Sequence, residues 1–411
     1  MVKKIISFVL SFFLFIAGIY AQNLDLKSDK YILYNLNDNR VLLEHSSNEK
    51  TQIASLTKMM TTIVAIENVK DYNKKVTITK EMFSDIEWDV ATAGFKIGDK
   101  VTYNDLFYGA ILPSGADAVN ALAYSVFDDY DTFIKKMNDK AKELGLKNTM
   151  FENPIGLYDE KNYSTANDVA RLLIYALKNK KFKEVFTTKN YVSSNGIKMR
   201  STIESYNARS GNANINYITG AKTGYLKKAG YCLASTAKIN GVEYLLVTLN
   251  AFSTSGTPHI SDATKVYKYY SSNYGYKDII NKDTIVATVK TKYSKEKELK
   301  LKANINIKYY LKNDYDSKNI TYEYNGKKYV TCFTKKGTKL GTVKIKYHDK
   351  LLKEFDLLYS QELKFSLLAL LWAYKYIIII IIILILYVKH RSNKIKKARK
   401  RKNMRKITYQ N

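Results

Sequence analysis

The pattern of apolar and polar positions divides the chain into stretches of different texture. Ile5 to Ile19 is an apolar run behind Lys3-Lys4 and ahead of the small residue Ala21. That is the three-part pattern of a secretory signal cleaved after Ala21, with a retained anchor as the alternative. From about Asp25 to Tyr276 helical and strand periodicities mix. Tyr31–Tyr34 and Val41–Leu43 read as two short strands around the polar turn Asn35–Asn39. Leu56, Met59, Met60, Ile63 and Val64 recur at helical spacing and predict a helix over Ser55–Val69. Asp131–Leu144 and Asn167–Lys178 predict two more, the second opened by Ser164-Thr165 and Asn167-Asp168. Beyond Lys222, strands are expected over Tyr231–Lys238 and Val242–Asn250. From about Lys277 to Tyr359 the pattern is alternating and β-rich, and "YEYNGKKYVTCF" predicts a hairpin through Asn325-Gly326. Phe365–Val388 is apolar over a length that spans a bilayer, densest in the isoleucine run Ile377–Ile383. Lys375 lies within it beside Trp372, Tyr374 and Tyr376, interface residues among which a lysine can snorkel. The expected organisation is a leader over 1–21, a mixed α/β domain over 22–276, a smaller all-β domain over 277–359, a membrane span over 365–388 and a basic tail over 389–411.

Charge changes this picture mainly at the end of the chain. The net charge of the 411 residues is +29, of which the tail from Lys389 carries eleven Lys and Arg and no acid. By the positive-inside rule that tail is cytoplasmic, which puts the bulk of the chain outside, on the cell-wall or periplasmic side. With Lys3 and Lys4 also set aside, the middle retains +16. Lys, Asn, Ile and Tyr are all abundant, so compositional drift competes with attraction to an anionic polymer. Nucleic acid is not an expected partner, because the basic residues are dispersed and no recognition motif occurs. Cys232 and Cys332 are too few and too far apart for a disulfide framework and are read as unpaired and buried. His45, His259, His348 and His390 are isolated, so neither a metal site nor a histidine-dependent triad is expected.

Candidate chemistry starts with "IASLTKMM", Ile53–Met60. Ser55 and Lys58 share one face of the predicted helix, and lysine is normally kept off an apolar face. A serine hydroxyl is a weak nucleophile until a base takes its proton. A lysine serves as that base when burial or a neighbouring cation favours its neutral form. The helix N-terminus at Ser55 favours negative charge developing on oxygen. The pair alone is weak, since Ser47/Lys50 and Ser294/Lys297 repeat the spacing in polar contexts. It gains force from "LPSGADA" (Leu112–Ala118) and "GAKTGYLKKAGY" (Gly220–Tyr231) downstream. Lys222 and Thr223 offer a cation and a hydroxyl to a carboxylate, and Gly224 lets a strand edge approach a ligand closely.

These three elements, in this order, resemble the active-site-serine penicillin-binding proteins and class A β-lactamases, most closely the low-molecular-mass D-alanyl-D-alanine carboxypeptidases. "AGFKIGDKVTYNDLFYGAILPSGADA", "MNDKAKELGLKNTMFENPIGL", "YSTANDVARLL" and "KTGYLKKAGYCLASTAK" resemble further blocks of that family, so the likeness covers about Asp25 to Tyr276. It implies an α/β (α+β) catalytic domain of the penicillin-binding transpeptidase and β-lactamase type, followed by an all-β domain and a C-terminal membrane helix. It implies no cofactor and no metal, a peptidoglycan stem peptide ending in D-Ala-D-Ala as substrate, and covalent binding of β-lactams. Carried over by residue, Ser55 is the nucleophile, Lys58 its base and Ser114 a proton relay to the leaving amine. Lys222 and Thr223 dock the terminal carboxylate beside Gly224, and the Ser55 and Tyr225 amides form the oxyanion hole. Arg209 assists the carboxylate on a looser alignment, with a plain surface arginine as the alternative.

One position departs from the family. The second motif commonly reads Ser-Gly-Asn, and here it is Ser114-Gly115-Ala116. One lost hydrogen bond to a charged partner is worth about 1.5–3 kcal/mol, which bears on rate more than on reaction type. Two other readings therefore stand beside the carboxypeptidase: a feeble or inactive wall module that binds D-Ala-D-Ala ends, and a β-lactamase. An endopeptidase is a substrate variation on the first.

Overall fold

The computed structural model describes residues 24–408, apart from Asp85, 211–214 and 254–255. The leader expected over 1–21 lies outside the described residues. The chain divides into two units between Ser272 and Asn273.

The first unit is built on one antiparallel sheet. Its strands are β1 (Ser28–Asn35), β2 (Arg40–His45), β3 (Ile218–Leu226), β4 (Gly230–Ile239) and β5 (Val242–Ala251), in the order β2-β1-β5-β4-β3. The N-terminal hairpin thus pairs with strands from the far end of the unit, and β3 is left at the sheet edge. Between β2 and β3 the described residues form seven helices: α1 (Lys58–Asn68), α2 (Tyr103–Ile111), α3 (Ala116–Val126), α4 (Tyr130–Glu143), α5 (Ala166–Ala176), α6 (Lys180–Thr187) and α7 (Thr202–Ser210). α1 is buried on every side, with Met59, Met60, Ile63 and Val64 in one apolar core with Leu106, Leu122, Leu173, Val247 and Leu249. It can be central because it has no charged residue but Lys58 before Glu67. α8 (Pro258–Asn273) serves the other sheet face, where Tyr267 Oη lies 2.9 Å from Ser235 Oγ. Its Asp262 accepts from the Ser28 amide and hydroxyl at 2.8 and 2.7 Å and anchors β1.

The expected strands and helices appear with ends moved by one to three residues. The one change of kind is at the N-terminus of α1. Ala54–Thr57 is a 3₁₀ turn, entered with Ala54 at φ +49°, and the α-helix begins at Lys58. α2, α3, α6, α7 and α8 were not expected from the periodicity. α2 carries its own start signal, a capping box in which Thr102 and Asp105 satisfy each other's amides.

The second unit is β-rich, with small sheets around Val289, Leu301, Val343, Ile345 and Leu357. The expected hairpin at Asn325-Gly326 does not form. Ile320–Gly326 pairs with Lys339–Tyr347, whereas Tyr329–Thr331 runs parallel to Ile285–Lys292. Gly326 opposes Gly341, and a Cβ on Gly326 would stand 2.5 Å from the Leu340 carbonyl oxygen. The glycine serves a close strand approach rather than a turn. Both cysteines are free, Cys232 buried in the first unit, while Cys332 in the second is only half-buried, contrary to expectation, because it follows the end of a three-residue strand. The apolar C-terminal stretch is a short helix, Leu367–Ala373, then a break at Tyr374 and a long helix, Lys375–Thr408. Among the described residues that last helix alone is long and apolar enough to cross a membrane.

Candidate active site

The 3₁₀ turn before α1 presents Ser55 towards β3. Lys58, one turn on, is 1% exposed, with Nζ 2.7 Å from Ser55 Oγ and donating to the Ile155 carbonyl at 2.9 Å. Burial lowers its ammonium to about 7, opposed in part by the charge of Asp117. That shift brings the neutral amine within reach near neutral pH.

The acceptor at Ile155 was not singled out from the sequence. It lies in Asn153-Pro154-Ile155-Gly156-Leu157, where Asn153 Oδ1 accepts from the Gly156 and Leu157 amides at 2.7 and 2.9 Å. Thr61 Oγ1 donates to the Pro154 carbonyl at 2.7 Å and ties the loop to α1. Gly156 has φ +85°, and a Cβ there would stand 2.1 Å from the Ala54 carbonyl oxygen. An Asn-Pro-x-Gly run is a turn signal visible in the sequence. Nothing in the sequence says that its carbonyl faces a lysine.

Ser114 sits in the loop between α2 and α3 at φ +66°, a left-handed conformation that a non-glycine residue adopts at a cost of about 1–3 kcal/mol. Its Oγ lies 2.7 Å from Lys222 Nζ on β3, and that nitrogen also donates to the Thr223 carbonyl at 2.8 Å. Lys222 is fully buried, and its ammonium is held well below the usual lysine range by burial and by the charge of Lys58. Two lysines share this buried site, and the charge of Lys58 disfavours protonation of Lys222. Thr223 Oγ1 lies 2.6 Å from Thr202 Oγ1 at the start of α7, and the Thr202 amide bonds the Leu112 carbonyl. Gly224 passes Ser55 so closely that a Cβ would stand 3.0 Å from the Ser55 amide nitrogen and 3.1 Å from Ala54 Cβ. Tyr225 is half exposed, and its ring meets Tyr231, which stacks on the buried His259.

The structure thus brings Ser55, Lys58 and Gly224 together, and Ser114, Lys222 and Thr223 together. Arg209 belongs to α7, but its side chain lies outside the described residues. Ala116 is buried and supplies no side-chain amide; the acceptors of Lys58 among the described residues are Ser55 and Ile155. Asp117 turns the other way. Its carboxylate accepts from the amides of Ala93, Gly94 and Phe95 at 2.7–3.0 Å and fixes that loop against the start of α3. Each orphaned buried donor costs about 1–3 kcal/mol, so Asp117→Ala is expected to lose several kcal/mol in chemical denaturation.

A family model described as D-alanyl-D-alanine carboxypeptidase matches residues 18–253. The chain belongs to the D-alanyl-D-alanine carboxypeptidase family. A second model, described as the C-terminal domain of penicillin-binding protein 5, matches residues 274–364. The D-alanyl-D-alanine carboxypeptidase DacF of Bacillus subtilis is 30% identical over 343 residues, 81% of this chain and 85% of its own. The Streptomyces sp. (strain K15) D-alanyl-D-alanine carboxypeptidase is 34% identical over 244 residues, 56% of this chain and 81% of its own. Among solved structures, the Streptomyces K15 DD-transpeptidase matches with a TM-score of 0.53 and 30% identity, over 59% of this chain and 97% of its own. Penicillin-binding protein 5 from Haemophilus influenzae, at 23% identity and a TM-score of 0.60, shares the fold over 82% of this chain and 97% of its own. The chain is accordingly a serine-type peptidase of this family, with its catalytic fold and its C-terminal all-β domain.

Proposed function

We propose that this enzyme removes the terminal D-alanine from peptidoglycan stem peptides through an acyl-enzyme on Ser55. The observation that carries the reading is the buried Lys58 amine 2.7 Å from a serine hydroxyl, its ammonium lowered to about 7 by burial. Ser55 Oγ attacks the carbonyl carbon of the penultimate D-alanine while its proton passes to Lys58 Nζ. The amides of Ser55 and Tyr225 hold the oxyanion. The C–N bond then breaks as Ser114 delivers a proton to the leaving amine and takes up in its place the proton held on Lys58, which leaves Lys58 neutral again, and terminal D-alanine departs. Water, deprotonated by Lys58, hydrolyses the ester and restores the serine. Lys222 and Thr223 hold the substrate's terminal carboxylate. A β-lactam enters the same way, but its leaving group stays attached after ring opening and blocks the incoming water.

The domain roles follow the same reading. Residues 22–276 catalyse, and 277–359 form the β domain. The apolar stretch over 365–388 tethers both to the cell membrane, with 389–411 in the cytoplasm and the catalytic domain on the wall side. This placement keeps the enzyme near newly made wall.

The pH profile tests the base. Below its pKa Lys58 is protonated and cannot accept the serine proton. The second-order rate of acylation by a fluorescent penicillin is therefore expected to climb with pH, half-maximal near 7. A rate independent of pH between 5 and 8 would remove Lys58 from this role. Release of D-alanine from a stem pentapeptide tests the substrate. Cleavage of a cross-linked dimer without release of terminal D-alanine would point to an endopeptidase, the activity named for an Escherichia coli relative 28% identical over 255 residues.

A further inference from the structure

The unbroken apolar part of the long C-terminal helix is shorter than the hydrocarbon core of a bilayer. Ile377–Val388 is an unbroken apolar run of twelve residues ending at Lys389. At 1.5 Å per residue it covers about 18 Å, against a hydrocarbon core of about 30 Å. Including Leu367–Tyr376 extends the apolar stretch to roughly 33 Å, a full span, so the short helix Leu367–Ala373 lies at or within the membrane boundary on this reading.

That short helix is not on a free tether. The Ser366 amide donates to the Tyr293 carbonyl at 3.0 Å, and Phe365 bridges Ser294. The Tyr374 ring stacks on Tyr293, with the hydroxyls 3.0 Å apart. Whatever depth the helix takes, this end of the β domain follows. The surface there suits the interface. Phe333 stands out, 66% exposed, on a turn closed by the Thr334 amide and the Thr331 carbonyl. Its ring meets Phe365 and Tyr293, and Trp372, two residues before Tyr374, is 72% exposed. Lys292, Lys295, Lys335 and Lys364 are exposed on the same segments, against the acids Glu296 and Glu362, the latter paired with Lys336. Aromatic rings flanked by lysines match the headgroup layer of an anionic membrane.

We propose that this end of the β domain is itself a membrane-contact surface, seated in the headgroup layer with Phe333 reaching the acyl-chain boundary. The proposal rests on the reading of the C-terminal helix as a membrane anchor. It makes the β domain a fixed pedestal rather than a body on a flexible leash.

The test uses the full chain, reconstituted into vesicles of phosphatidylcholine and phosphatidylglycerol. With Trp88→Phe and Trp372→Phe removing the two native indoles, Phe333→Trp is one reporter and Tyr347→Trp the other. Tyr347 ends the nine-residue strand Lys339–Tyr347, which places it roughly 27 Å from the strand's start beside the Phe333 turn. Lipid brominated near the top of the acyl chain is expected to quench most of the Phe333→Trp emission, which is blue-shifted, and to leave Tyr347→Trp bright. Equal, solvent-like emission from both reporters in chains that float with the vesicles overturns the seating and leaves the anchor standing. Failure to float overturns the anchor and the seating together.

Discussion

Lys58→Met is expected to lower the rate of acylation by a β-lactam about 10²–10⁴-fold, the range for a lost general base. The substitution exchanges one long unbranched side chain for another in a position that is wholly buried, so the fold should survive it. It removes the amine that lies 2.7 Å from Ser55 Oγ. It also removes the charge that helps depress Lys222. Lys222 should then hold its proton to higher pH. The residual acylation of the variant should therefore lose the rise centred near 7 that Lys58 gives the wild type. Stopped-flow acylation across pH 5–9, with circular dichroism to verify folding, reads both effects. A folded Lys58→Met protein that acylates at the wild-type rate would transfer the base role elsewhere.

Gly156→Ala is expected to damage both stability and chemistry. The residue sits at φ +85°, and a Cβ would overlap backbone, 2.1 Å from the Ala54 carbonyl oxygen and 2.7 Å from its carbon. Neither atom can move without shifting the turn that carries Ser55. If the loop gives way instead, Ile155 withdraws the carbonyl that positions Lys58. A displacement near 1 Å at a reacting group costs about 10²-fold in rate. Overpacking adds about 1–3 kcal/mol of lost stability. Gly196→Ala separates strain from collision, since Gly196 has φ +87° with nothing within 4 Å of its would-be Cβ. That variant should lose only the left-handed penalty of about 1–2 kcal/mol and keep its acylation rate. Melting temperatures and acylation rates of the two variants side by side make the comparison.

Much of the site was legible because it rests on residues whose chemistry is unusual for their surroundings. A lysine on the apolar face of a helix stands out from periodicity alone, and Gly224 in a strand edge signals close approach. What stayed hidden depends on contacts far apart in the chain. The Ile155 carbonyl is a backbone group, and backbone groups leave no mark on residue type. Asp117 looks like a neighbour of the second motif, yet it holds the 93–95 loop. In the fold, α3 and α8 escaped because their buried faces are built from small residues and tyrosines, such as Ala118, Ala121, Tyr267 and Tyr270, which give weak periodicity. The supposed hairpin at Asn325-Gly326 failed for the opposite reason. Its turn signal was strong locally, and a strand from residues 339–347 outcompeted it for pairing.

The central claim is that Ser55 carries the acyl group. Intact-mass spectrometry of the full chain after exposure to benzylpenicillin, beside Ser55→Ala, tests it most directly. The account predicts one stoichiometric penicilloyl adduct on the wild type and none on the variant, with a peptide map placing it on Ser55. An adduct of equal yield on Ser55→Ala, or no adduct with the drug intact in solution, would contradict it. Rapid loss of the drug without an adduct would point instead to a β-lactamase.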